Sequence, residues 1–150
     1  MTVLRRPDEV MVVVRRPGAN GAEYLVLLRS AAKQGYWHLV AGGVEWGEEP
    51  VDAAARELRE ETGLVARPRD LGLEASYATA DEPEELRVRF PPGTTTVSLH
   101  ACLAQAPEGW EPDLDDEHVD HRWLAVDDAV ELLFWPEPRE AVRLAHGVPG

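Results

Sequence analysis

Residues Gly42 to Leu64 read GGVEWGEEPVDAAARELREETGL, and the rest of the chain is best understood outward from this stretch. Side chains three and four residues apart share one face of a helix, so Glu57, Glu60 and Glu61 are expected to stand together. Like charges at that spacing destabilise a helix by roughly 0.2–0.5 kcal/mol per pair. A bound cation would offset that repulsion. A donor set made only of oxygens points to a hard ion, Mg2+ or Mn2+, rather than to zinc.

The flanks of the cluster fit a helix. Glu49 and Pro50 make an acidic start with proline at or near the first helical position. Ala53, Ala54, Ala55 and Leu58 are strong helix formers, and Gly63 suits the left-handed residue that ends a helix. Ahead of the helix, Gly42-Gly43 allow a tight loop and a close approach of backbone to a ligand. The local order is therefore strand, glycine loop, acidic helix.

This segment resembles the signature of the Nudix hydrolases, G-x5-E-x7-R-E-U-x-E-E-x-G-U with U aliphatic. Gly42, Glu48, Arg56, Glu57, Leu58, Glu60, Glu61, Gly63 and Leu64 fill every fixed position. The resemblance implies a phosphoanhydride hydrolase with Mg2+ as cofactor, for which Mn2+ substitutes. It also implies that Glu57 and Glu61 are the principal metal ligands, that Glu60 joins at a second ion, and that a Gly42 carbonyl completes the site. Arg56 and Glu48 are expected to pair and hold the loop against the helix. Hydrolysis of this kind needs positioning and charge neutralisation more than covalent chemistry.

Further strings resemble the dihydroneopterin triphosphate pyrophosphohydrolase branch of that family. Glu117 to Leu124 (EHVDHRWL) matches an E-H-x-x-[YH]-x-W-L pattern, which implies that Glu117 supplies a distal acid as metal ligand or general base. His118 and His121 are read as ordinary histidines. Trp37 to Gly43 (WHLVAGG) lacks the proline that many members place before the paired glycines, a loss this branch tolerates. Leu86 to Ser98, and Phe134-Trp135 with Arg139 and Ala141, resemble two more of its segments. Arg29, Arg87 and Arg89 are candidate phosphate contacts, since arginine suits bidentate recognition of phosphate. Arg87 and Arg89 are placed on one face of a strand. A flat heterocycle needs an aromatic wall, for which Tyr36, Trp37 and Trp46 are candidates.

Elsewhere the pattern predicts strands at Val10–Arg16, Tyr24–Arg29, Leu71–Thr79, Thr94–Ala104 and Val119–Leu124. It predicts helices at Val126–Trp135 and Glu137–His146, separated by Pro136 and Pro138. Asp81–Glu85 and Pro107–Glu117 read as acidic loops. Mixed strands with helices on two sides give an α/β fold, a Nudix-like three-layer α/β/α sandwich with a mixed sheet. One domain over residues 1–150 is expected.

The composition narrows the partners. With a formal net charge of -13, neither nucleic acid nor an anionic membrane is an expected partner, while a small phosphorylated substrate remains compatible because metal ions reverse the local field. The start, MTVLRRPDEV, turns polar at once and no apolar run reaches spanning length, so a cytoplasmic protein is expected. The single cysteine, Cys102, excludes an internal disulfide and reads as buried filler. Both a monomer and a homodimer are compatible with the chain. Within the hydrolase reading, dihydroneopterin triphosphate comes first, and other nucleoside triphosphates or dinucleoside polyphosphates are alternatives. A non-catalytic nucleotide-sensing module is less compatible with an intact set of signature glutamates.

Overall fold

In the computed structural model, which describes residues 3–150, the run Val10-Met11-Val12-Val13-Val14 lies at the centre of the molecule, each residue at most 2% exposed. A strand buried on both faces reads as a continuous apolar run, and this one sits in β1 (Asp8–Gly18). The other strands are β2 (Gly21–Arg29), β3 (Trp37–His38), β4 (Val40–Gly43), β5 (Arg69–Asp70), β6 (Ala75–Ala78), β7 (Thr96–Gln105) and β8 (His118–Leu124). Strand β7 runs parallel to β1, from Asp8 opposite Ser98 to Arg15 opposite Gln105. All other pairings are antiparallel, so the sheet is mixed.

On its other edge β1 changes partner. Its first half pairs with β4, Val10 opposite Gly42, and its end pairs with β2, Arg15 opposite Tyr24. Strands β1 and β2 fork, and the segment from Trp37 to Gly43 fills the fork, with β3 on β2 and β4 on β1. Strand β8 closes the far edge of β2. This fork carries the paired glycines into the middle of the sheet, beside the acidic helix.

Helix α1 (Pro50–Thr62) covers one face. Ala53, Ala54 and Leu58, fully buried, pack there on Val10, Val12, Val14, Leu25, Leu27 and Val40. The helix ends where Gly63 takes a left-handed φ of 81° and its N–H caps the Arg59 carbonyl. A single turn, α2 (Glu84–Arg87), lies in the connection from β6 to β7. Helices α3 (Val126–Leu132) and α4 (Pro136–His146) cover the opposite face, over Met11, Val13, Tyr24, Val26 and Leu39. Successive residues of β1 serve opposite layers, as the two-residue period of a strand requires. The expected three-layer α/β/α arrangement with a mixed sheet is present.

Three local expectations are corrected. Residues 84–87 form a helical turn and not a strand carrying Arg87 and Arg89. Pro83 begins the turn, and Glu84 and Glu85 favour its positive N-terminal end. Of Leu71–Thr79, only Ala75–Ala78 pairs with β7. The helix expected over Val126–Trp135 stops at Leu132: Leu133 is already extended at ψ 133°, and Pro136, which begins the next helix, keeps Trp135 extended at ψ 151°.

Arg15 is a buried charge with a full set of partners. At 6% exposure, its guanidinium donates to the carbonyls of Ala145 and Val148 at 2.9 and 2.8 Å, and its Nε to the Gln105 side chain at 3.0 Å. The cation thus meets the negative end of α4. Cys102 is buried as expected, and burial pushes its thiol up to about 12.

Leu58 is the side chain through which α1 grips the sheet. Leu58→Ala is expected to cost about 2–5 kcal/mol of stability, whereas exposed Arg59→Ala should stay within about 0.5 kcal/mol. Denaturant midpoints of the two variants check the difference.

Candidate active site

Arg56 is the joint between the glycine loop and the helix. Its Nε and Nη2 donate to the two Glu48 carboxylate oxygens at 3.0 and 2.9 Å, a bidentate pair. Nη2 also donates to the Gly43 carbonyl at 2.9 Å, and Nη1 to Glu57 at 2.7 Å. The Glu48 carboxyl is held below the usual carboxylate range, first by the Arg56 hydrogen bond, and Arg56 is held above its own ordinary value by the same partner. One guanidinium therefore fixes the loop and aims Glu57.

Glu57 is aimed at the backbone of Gly42. A Cβ at that position would collide with the Glu57 carboxyl, so only glycine lets the carboxylate lie against the strand. One turn on, Glu61 is 3% exposed. Its Oε1 accepts a hydrogen bond from the Ala41 N–H at 3.3 Å. Burial raises its pKa far above the ordinary range, and the adjacent Glu57 carboxyl raises it further by hydrogen bond and charge. Both effects favour the protonated form of Glu61 when no cation is near.

The acidic loop reaches this pair from the side. The Asp113 N–H donates to the Thr62 carbonyl at 2.8 Å and anchors the loop to the end of α1. His118, 8% exposed, then lies with Nε2 at 3.6 Å from Glu61 Oε1 and Nδ1 at 2.7 Å from Asp115 Oδ1. Asp115 orients the ring toward Glu61. Burial above all lowers the pKa of His38 to about 4, which keeps it neutral.

The donors present fit a hard divalent ion. Two carboxylates this close must be neutralised by a proton or by a cation, and both are oxygen donors beside a glycine backbone. Among the described residues no three His, Cys, Asp or Glu side chains form a ready-made ligand shell. An ion that keeps several of its own waters does not require one.

The remaining candidates are more dispersed. Glu60 is half exposed and rests 3.7 Å from Arg56. Glu117 is half exposed and pairs with Lys33 at 3.5 Å, turned to the Ala31–Lys33 turn, while its neighbours Asp115 and His118 turn to Glu61. Arg29 lies over the Tyr36 ring, 5.1 Å from its centroid, and donates to the Tyr36 hydroxyl. Trp37 packs toward the α3–α4 layer under Arg122, 4.8 Å from its ring centroid. Arg87, the last residue of α2, and Arg89 just beyond it are exposed, and the Arg89 carbonyl accepts from the Arg5 N–H at 2.6 Å. Trp46 is 56% exposed and donates to the Leu4 carbonyl. Asp115, His118 and His38 had no role assigned from sequence. The Asp-x-x-His spacing at 115–118 was the one available signal.

Signature and geometry coincide, and the chain belongs to the Nudix family: the NUDIX domain model matches residues 5–145. It is a phosphoanhydride hydrolase by class. The chain is 29% identical over 143 residues to the dihydroneopterin triphosphate diphosphatase of Escherichia coli K12, covering 93% of this chain and 92% of that protein. The solved E. coli dihydroneopterin triphosphate pyrophosphohydrolase superposes with a TM-score of 0.77 at 25% identity, over 95% and 96% of the two chains. The asymmetrical bis(5'-nucleosyl)-tetraphosphatase of Mus musculus is 27% identical over 85% of this chain and 81% of its own length. A Myxococcus xanthus protein named octanoyltransferase is 31% identical over 91% of this chain, which spans only 36% of it.

The raised pKa of Glu61 sets the sign of a stability effect. The folded state binds a proton that the unfolded chain releases near the free glutamate value. The contribution of Glu61 is therefore fully present below that value and declines as pH rises toward the folded pKa. In EDTA, the Tm is expected to fall between about pH 5 and about pH 9, and Glu61→Gln should flatten that slope. Thermal melts of both proteins across this range check it.

Proposed function

We propose that the site is a Mg2+-dependent pyrophosphohydrolase of nucleoside-triphosphate-like compounds, with dihydroneopterin triphosphate as substrate and a monophosphate and pyrophosphate as products. The observation that carries the metal is the Glu57–Glu61 carboxyl pair, packed together against the backbone of Ala41 and Gly42. The substrate is supported by likeness in sequence and fold to the E. coli proteins of that name, together with the Glu117 to Leu124 string.

Each residue then has a task. Glu57 and Glu61 would hold the ion, with Glu60 able to swing to a second one and the Gly42 carbonyl as a further donor. The ion, when bound, neutralises phosphate charge and lowers the pKa of a coordinated water. Arg56 keeps Glu57 in register with the loop, and Glu48 keeps Arg56 in place. His118, held by Asp115, stands beside Glu61, its Nε2 3.6 Å from Oε1. Glu117 remains the distal acid by resemblance; in this role it would have to leave Lys33. Arg29 is the phosphate contact nearest the fork, and Arg87 and Arg89 bring further positive charge on an exposed turn.

The test is a panel of phosphorylated compounds assayed with Mg2+ and with Mn2+, scoring pyrophosphate against phosphate release. Dihydroneopterin triphosphate is expected to give the highest kcat/KM and to release pyrophosphate. EDTA should abolish turnover, and Glu61→Gln should lower kcat by orders of magnitude without unfolding the protein. A tenfold or larger preference for a dinucleoside tetraphosphate, about 1.4 kcal/mol of transition-state preference, would move the substrate to the class of the mouse relative. Full activity after EDTA treatment would remove the metal from the mechanism.

A further inference from the structure

Four aromatic side chains and one arginine gather at the open end of the fork, outside the signature helix. Phe134 and Trp135, 59% and 43% exposed, stand nearly perpendicular at 4.8 Å between ring centroids. Tyr36 stacks on Phe134 at 5.7 Å and meets Trp135 edge-on at 6.0 Å. His38 lies 5.7 Å from Tyr36 on the other side. Arg29 covers the Tyr36 ring and binds its hydroxyl.

The exposed rings are held in place. Leu133, fully buried, anchors the joint between α3 and α4. Its carbonyl accepts from Arg139 Nε at 2.7 Å, and the Phe134 N–H donates to the Trp37 carbonyl at 3.3 Å. Two large apolar rings are thus presented to water by a pinned segment. The platform adjoins the acidic site through Arg29: it covers Tyr36, stands opposite His118 in the pairing of β2 with β8, and His118 lies 3.6 Å from Glu61. Arg29 supplies a positive charge at the junction, which complements an anionic chain running toward the acids.

We infer that Phe134, Trp135 and Tyr36 form the subsite for the planar heterocycle of the substrate, with Arg29 at the boundary between heterocycle and phosphates. This rests on the hydrolase reading above and adds to it the group that is read and where. Tyr36 fills the inner corner of Phe134 and Trp135, so a flat ring would stack on the outer surfaces of these two side chains, which remain 59% and 43% exposed. Stacking of this kind tolerates many heterocycles, so the platform contributes affinity while finer selection falls to polar groups.

The experiment separates binding from turnover. Metal-free protein is titrated with neopterin, which carries no phosphate, and indole N–H signals are followed by NMR, Trp135 being assigned by its loss in Trp135→Phe. The Trp135 signal is expected to shift most among the five tryptophans, and the shift should vanish in Phe134→Ala. In parallel, the ratio of kcat/KM for dihydroneopterin triphosphate over inorganic tripolyphosphate should fall about tenfold or more in Trp135→Ala, through KM, and be largely restored in Trp135→Phe. An unmoved Trp135 signal, or an unchanged ratio, overturns the inference. So does a change from dimer to monomer on Phe134→Ala by light scattering, which would make the platform a subunit contact. If no triphosphate is hydrolysed the proposed function fails, and the neopterin titration still decides the platform.

Discussion

The guanidinium of Arg56 is the contact on which the site depends. It joins three parts of the chain that are separate in sequence: the loop acid Glu48, the Gly43 carbonyl of the central sheet, and the helix acid Glu57. Without it the helix would still pack, since Ala53, Ala54 and Leu58 are buried on the sheet regardless. What would be lost is the registration of Glu57 against Gly42. A bidentate pair is suited to this because it fixes direction as well as distance. Lysine would keep the charge and lose the geometry.

Around that joint, the molecule separates packing from chemistry. The apolar layers are self-sufficient, with β1 feeding both of them by simple alternation. The polar groups collect where β1 and β2 part and the segment from Trp37 to Gly43 lies between them. A fork in a sheet exposes backbone and side chains that continuous pairing would cover. Here it brings Ala41 and Gly42 to the carboxyls of α1 on one side, and His38 and Tyr36 toward the joint of α3 and α4 on the other.

Much of this was legible in the residues themselves. The acidic helix, its start at Pro50, its end at Gly63, and the Glu48–Arg56 pair followed from spacing and from the resemblance, because they are local and each contact lies within a short span of chain. The burial of Val10 to Val14 followed from their unbroken apolar run. What was not legible depends on long-range closure. The approach of His118 to Glu61 depends on β8 pairing with the end of β2, Arg29 opposite His118, a long-range register that no periodicity announces. The aromatic platform requires Phe134 to lie beside Tyr36, nearly a hundred positions away. The helical turn at Glu84–Arg87 was missed because alternating arginines imitate a strand, while Pro83 and two acids were the stronger local determinant.

The buried Arg15 has a consequence for handling the protein. Its donors are satisfied by carbonyls at Ala145 and Val148, so the last turn of α4 and the residues just beyond it serve as the counter-charge to a cation in the interior. Shortening the chain to the end of α4 would remove the Val148 and Pro149 carbonyls and leave the guanidinium with only Ala145 and Gln105 as acceptors. Fusions and tags are therefore better joined after Pro149, whose carbonyl is the outermost of the arginine's partners, than grafted onto the helix itself.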